Sequence, residues 1–232
     1  MKPLFIWLGS GRTRKYAVSP KAKLLDAAAR AGLPAPGGAV LLDEVYRLML
    51  AEGIIVPKDG RLNAPDPDWV SEVIYYTIHF PRLEIPVAVR SLTAAAQPTP
   101  PQLDVDFTHP RQLADSLCRL WTAALSLPDA ARRDVLIMEM VNATTEGTAV
   151  TRRSETEDFV VRIPSSVNRQ PISLPKLRGW QRPGRAFVPG DQRLQMLLRG
   201  VRRTFGKGDW EITWADDGRI CWLLQVRRLG AA

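Results

Sequence analysis

Histidine and cysteine are scarce in this sequence, and their scarcity removes several kinds of chemistry at once. Two histidines occur, His79 closing an apolar run and His109 ahead of Pro110, and neither has neighbours that would complete a nucleophilic triad or a zinc site. Two cysteines, Cys118 and Cys221, lie far apart in apolar patterns, with no second ligand at metal spacing, so they read as small buried hydrophobes. A phosphate-cradling Gly-x-x-x-x-Gly-Lys-Ser/Thr loop is also lacking. Gly9-Ser10-Gly11-Arg12 has the wrong spacing for one and reads as a turn. No apolar run approaches the roughly 18 residues of a membrane span, and Met1 to Leu8 is too short for a signal-peptide core. The expected location is therefore the cytoplasm, with no membrane partner. Negative charge is in deficit: 24 Asp and Glu against 32 Lys and Arg leave +8, which favours anionic partners without choosing among them.

What is present suffices for a sizeable core. With 45% apolar residues in 232, the chain can form one core or two lobes around a cleft. No repeat is visible, and the Ala- and Pro-rich stretch 94–101 reads as a loop. Ser19-Pro20 opens a helix that stops at Gly32 and Pro34. Further helices are predicted over 42–52, 69–78, 110–125 and 191–205 from apolar residues three and four apart. Strands are predicted over 85–91, 135–141, 148–151, 159–163, 210–214 and 220–226. The elements mix rather than alternate, which predicts an α+β fold of two sheet-bearing lobes. Residues 168–189, rich in Pro, Arg and Gly, read as an ordered excursion or a flap.

The C-terminal hairpin carries the sharpest local pattern. Trp210-Glu211-Ile212-Thr213-Trp214 alternates, placing Asp209, Glu211 and Thr213 on one face and the tryptophans with Ile212 on the other. A three-residue loop, Asp216-Asp217-Gly218, would pair Ala215 with Arg219 and Glu211 with Leu223, making Gln225 a diagonal neighbour of Glu211. That face would offer a carboxylate and an amide oxygen for a metal, and the Arg227 guanidinium for phosphate oxygens. A two-residue loop would separate Glu211 from Gln225, and on the local pattern alone an ordinary solvated polar face is the favoured reading of the same alternation.

Residues 205–211, Phe-Gly-Lys-Gly-Asp-Trp-Glu, followed by 217–227, Asp-Gly-Arg-Ile-Cys-Trp-Leu-Leu-Gln-Val-Arg, resemble the motif that ends the N-terminal nucleotide domain of pyruvate phosphate dikinase and phosphoenolpyruvate synthase. Upstream, Pro86-Val87-Ala88-Val89-Arg90-Ser91 resembles the family's Val-Ala-Val-Arg-Ser-Ser strand. Ser19-Pro20-Lys21 with 31–37, Ala-Gly-Leu-Pro-Ala-Pro-Gly, resembles its Gly-Gly-Lys and Gly-Leu-Pro pair. Met140-Val141 and Gly147 to Arg152 are similar to its later strands. The resemblance implies an ATP-grasp fold with the nucleotide cleft between two lobes, 1–137 carrying Lys21 and Arg90, and 138–232 carrying the C-terminal hairpin. It implies Mg-ATP as cofactor, with Lys21 and Arg90 on the phosphates, Met138 at the adenine-contacting position, Glu211 and Gln225 on Mg2+, and Arg227 bracing the transferred phosphoryl group. Arg90 and Arg227 would be the catalytic pair.

The sequence departs from that family at two places. Ser19-Pro20 replaces Gly-Gly, and Gln97 to Val105 replaces a Gly- and Thr-bearing phosphate loop, which implies a less complete phosphate cradle. The family's swivelling phosphohistidine domain has no counterpart in the sequence, so the expected acceptor is a separate phosphohistidine-domain protein or a small molecule. The resemblance thus implies an ATP-dependent phosphotransferase of kinase type, with a non-catalytic nucleotide-binding regulatory subunit or pseudoenzyme as the alternative. Nucleic-acid binding through Arg199, Arg202, Arg203, Arg227 and Arg228 is disfavoured, because no paired aromatic stacking platform accompanies them.

Overall fold

The computed structural model of the chain describes residues 3–83, 85–93, 99–128, 130–163, 171–206 and 208–230. The chain divides into two compact units, Met1–Lys23 with Gly37–Met140, and Leu24–Pro36 with Val141–Ala232. Each contains a five-stranded sheet, so the fold class is the α+β that the mixture of elements predicts.

In chain order the elements up to residue 140 are β1 (Phe5–Trp7), α1 (Pro20–Arg30), β2 (Gly38–Leu41), α2 (Asp43–Ala51), β3 (Val56–Lys58), β4 (Arg61–Asn63), α3 (Pro67–Glu72), β5 (Val87–Ser91), β6 (Gln102–Val105), α4 (Pro110–Thr122) and β7 (Val135–Glu139). The first sheet runs β1-β2-β7-β5-β6, antiparallel throughout. Alternation divides its faces. Ala39, Leu41, Val87, Val89, Val135 and Ile137 join a core with Val45 and Met49 of α2, Val70 of α3, and Leu113, Leu117 and Trp121 of α4. The opposite face carries Gly38, Val40, Ala88, Arg90, Leu136 and Met138, which the register sets side by side. Pro110 at the first position of α4 needs no hydrogen-bond partner there, and Asp66 caps α3 by accepting from the amides of Asp68 and Trp69.

The remaining elements are β8 (Thr145–Thr151), β9 (Glu157–Ile163), β10 (Ile172–Pro175), α5 (Pro189–Phe205), β11 (Trp210–Asp216) and β12 (Cys221–Arg228). Their sheet runs β10-β9-β8-β11-β12, again antiparallel. Trp210, Ile212 and Trp214 are buried as their alternation predicts, and so are Leu194, Leu197, Leu198 and Val201 of α5. Arg202 of α5 donates to Thr151 Oγ1 and Asp158 Oδ2. Those two residues share the face of Trp210, so α5 covers that face and the one bearing Glu211 is the other.

Several expectations are corrected. The helix predicted over 69–78 starts two residues earlier at Pro67 and opens after Glu72 into a π-helical turn, Val73–Thr77. There the amide of Ile78 donates to the carbonyl of Val73, where β-branched and aromatic residues crowd a tight helix. β1, β2, β3, β4, β6 and β10 had not been expected. Part of the stretch read as an altered phosphate loop, Gln102–Val105, is strand β6; its residues 97 and 98, like 94–96 of the proposed loop and 168–170 of the proposed excursion, lie outside the described residues.

Candidate functional site

In the first unit, Lys21 stands in the first turn of α1 and its ammonium donates to the carbonyl of Thr93, 3.0 Å away. Thr93 lies two residues past β5, the strand that holds Arg90. Arg90 pairs with Leu136, and Ala88 with Met138, so Arg90 and Met138 are diagonal neighbours on one face of the first sheet. Met138 is buried and pairs with Gly38 on its other side. A Cβ at Gly38 would come within 2.4 Å of the Ile137 carbonyl oxygen, so only glycine permits this approach of β2 to β7.

The start of α1, and with it Lys21, is held by a residue that sequence reasoning missed. Asp134 is fully buried. Its Oδ2 accepts from the Ser19 amide at 2.6 Å and its Oδ1 from the Asp43 amide at 2.9 Å. One carboxylate therefore serves the first turns of both α1 and α2, where backbone amides lack helical partners and the dipole favours negative charge. Arg132 clamps the same carboxylate and reaches Glu44. The only local sign was Arg132-Arg133-Asp134 ahead of β7; its partners lie 115 and 91 residues away.

In the second unit the C-terminal hairpin brings Glu211, Gln225 and Arg227 to one face, in a register different from the one expected. Glu211 pairs with Arg227 rather than Leu223, Thr213 with Gln225, and Ala215 with Trp222 rather than Arg219. A bulge at Thr213/Trp214 inserts one residue in β12, and the connection is the four residues Asp217-Gly218-Arg219-Ile220. Gln225 remains diagonal to Glu211. Arg227 makes two bonds to Glu211, Nε to Oε1 and Nη2 to Oε2, both 2.8 Å. These bonds hold the guanidinium proton more tightly than in a free arginine.

Among the described residues no three His, Cys, Asp or Glu side chains are placed to hold a metal ion. One carboxylate and one amide oxygen on a strand pair do not make a cage for a bare cation. They fit Mg2+ that arrives on a triphosphate, since that ion characteristically takes only one or two protein oxygens besides phosphate and water.

The hairpin's turn is fixed by Asp217. Its Oδ1 accepts from the amides of Arg219 and Ile220, and its Oδ2 from Trp222 Nε1 at 2.8 Å. These bonds, the indole's foremost, pull the carboxyl from 3.8 down to about 2. A value lowered on folding means that the turn's stabilisation is complete above the ordinary carboxyl range and is lost as the pH falls through about 2. The Trp222 indole N–H resonance should therefore stay constant above about pH 4 and move below it. An Asp217→Asn variant should show no such step, and a flat wild-type titration would refute the assignment.

No protein-family model matches the chain, and no curated protein matches it. Among solved structures it is similar to D-alanine–D-alanine ligase from Bacillus anthracis, at TM-score 0.46 and 10% identity over 90% of this chain and 56% of that one. It is also similar to a RimK-domain ATP-grasp protein from Sphaerobacter thermophilus, at 0.44 and 17% over 89% and 57%. A third is carboxyaminoimidazole ribonucleotide synthase from Aspergillus clavatus complexed with ATP, at 0.46 and 13% over 93% and 48%. The chain spans about half the length of the solved structures it matches. At these identities and scores the likeness stops at the general fold, and no residue role passes from them to this chain. No helix among the described residues is long and apolar enough to cross a membrane.

Proposed function

We propose that this chain is an ATP-grasp module that binds Mg-ATP and transfers a phosphoryl group to an acceptor, as its resemblance to the nucleotide domain of pyruvate phosphate dikinase and phosphoenolpyruvate synthase implies. The observation that carries this reading is the gathering of Glu211, Gln225 and Arg227 on the face of the β11–β12 hairpin turned away from α5. In this reading Glu211 and Gln225 supply oxygens to magnesium, which neutralises charge on the phosphates. Arg227, already oriented by Glu211, turns its remaining donors to the phosphoryl oxygens. Lys21 and Arg90 meet phosphate, and Met138 stands at the adenine-contacting position. The acceptor is a phosphohistidine-domain protein or a small molecule.

Calorimetric titration of Mg-ATP into the folded protein tests this. Saturable binding is expected, weakened about tenfold or more by Glu211→Ala and by Arg90→Ala, a change of about 1.4 kcal/mol each. No binding at millimolar nucleotide, or variants that bind as the wild type does, would overturn it. A non-catalytic nucleotide-binding subunit is the second reading, favoured by the engagement of both Glu211 oxygens with Arg227, which leaves the carboxylate less available to metal. Binding without measurable ATP turnover or phosphoryl transfer would select it.

A further inference from the structure

The arginines of α5, set aside as a nucleic-acid surface, line a cavity of about 1060 Å³ within the second unit. Its walls are the turn 32–34 that follows α1, the segment 177–183, one side of α5, and Arg219 to Cys221 at the start of β12. They are tied together. The Leu223 amide donates to the Pro34 carbonyl at 2.7 Å, and a Cβ at Gly200 would strike Leu33 Cδ2 at 2.5 Å, so α5 and the turn are in close contact. Side chains of α5 hold the other wall: Gln195 donates to the Pro175 carbonyl, Arg199 to that of Gln181, and Gln192 to that of Phe187. Such a cavity is built before any ligand arrives.

Its lining includes six arginines and no carboxylate. Two are neutralised from behind, Arg193 by Asp216 and Arg202 by Asp158. The other four, Arg182, Arg199, Arg203 and Arg219, form no ion pair among the described residues. Arg199 and Arg203 stand four apart on one helix, where like charges repel, and Arg182 and Arg219 bring more positive charge to the same concavity. Leu33, Leu177, Met196 and Ile220 add apolar surface between them. Cations that gather without counter-charge around an apolar floor match an anion with an apolar body, since guanidinium forks pair bidentately with carboxylate or phosphate. The volume is that of a small-molecule site.

We propose that this cavity is a second binding site, for a small organic anion with an aromatic or aliphatic body and phosphate or carboxylate groups. It lies on the α5 side of the second sheet, the opposite side from Glu211, and it stands independently of the nucleotide reading. Calorimetry with 1-naphthyl phosphate, naphthalene-2,6-dicarboxylate and inorganic phosphate tests it. One of the naphthalene anions should bind at micromolar to submillimolar concentration and inorganic phosphate about tenfold more weakly; the tighter arm identifies the preferred anionic group. An Arg203→Ala/Arg219→Ala variant, altered only at exposed positions and checked for folding by circular dichroism, should lose at least about tenfold. Glu211→Ala should bind the probes as the wild type does. The proposal fails if no probe binds at millimolar concentration, if the double arginine variant binds unchanged, or if Mg-ATP displaces the probe in the wild type but not in Glu211→Ala. Tighter binding of a single-stranded oligonucleotide that displaces the probe would overturn the small-ligand assignment in favour of nucleic acid.

Discussion

Asp134→Ala is expected to cost about 3–5 kcal/mol of folding stability, the range for removing one partner from a buried charged network. The side chain is fully buried and accepts from two backbone amides and from Arg132. Alanine would take the acceptor from the amides of Ser19 and Asp43, and would leave Arg132, among the described residues, with Glu44 as its remaining carboxylate partner. Asn would keep one acceptor but turn an amide N–H2 towards donors, so Asp134→Asn should fall between wild type and Ala. Denaturant unfolding measures both. A loss below about 1 kcal/mol, the scale of an ordinary surface change, would mean that the network is dispensable. Lys21 follows Ser19 by two residues, so an Asp134→Asn protein that stays folded should also bind Mg-ATP less well if the proposed role of Lys21 holds.

This network marks the limit of what the sequence makes legible. Helices α4 and α5 could be read in advance from apolar residues three and four apart, although α5 starts at Pro189, two residues before the predicted Asp191, where proline suits the first helical position. β11 could be read because its large apolar residues alternate over five positions. β1, β2 and β10 are three or four residues long, too short for a period to declare itself. The β3–β4 hairpin did leave a sign: Asp59 and Gly60 both have positive φ, as a two-residue turn between paired Lys58 and Arg61 requires. Alternation predicts the gathering of Glu211, Gln225 and Arg227 only for a three-residue loop; the connection has four residues, and the bulge in β12 restores the shared face with a different pairing. The register depends on a bulge at Thr213/Trp214 and on the role of Asp216, and neither follows from the local pattern. Likewise, Arg193, Arg182 and Arg219 gave no sign of converging, because three separate segments of chain bring them together.

Asp216 explains why the connection differs from the three residues that the local pattern predicts. In the string Asp216-Asp217-Gly218 it looks like a turn residue, yet it is buried in β11 and pairs with Cys221. Its oxygens accept from Arg193 Nε and Nη2, both at 2.7 Å, and from the Gly218 amide. A long-range partner on α5 thus draws an aspartate out of the turn and lengthens the strand. Asp216→Ala should cost about 3 kcal/mol, towards the lower end for a broken buried pair, because Arg193 keeps 27% of its side chain exposed and can regain water. Arg193→Met should also destabilise, since it strands the carboxylate instead. The two losses should not add: a double-mutant cycle in denaturant should show coupling of about 1–3 kcal/mol, and strict additivity would mean that the pair does not hold the hairpin to α5. Asp216→Ala should also raise affinity for 1-naphthyl phosphate, because it frees a fifth guanidinium in the cavity from its counter-charge. If affinity stays unchanged in a folded Asp216→Ala protein, Arg193 does not face the bound anion, and the site rests on the four arginines without carboxylate partners.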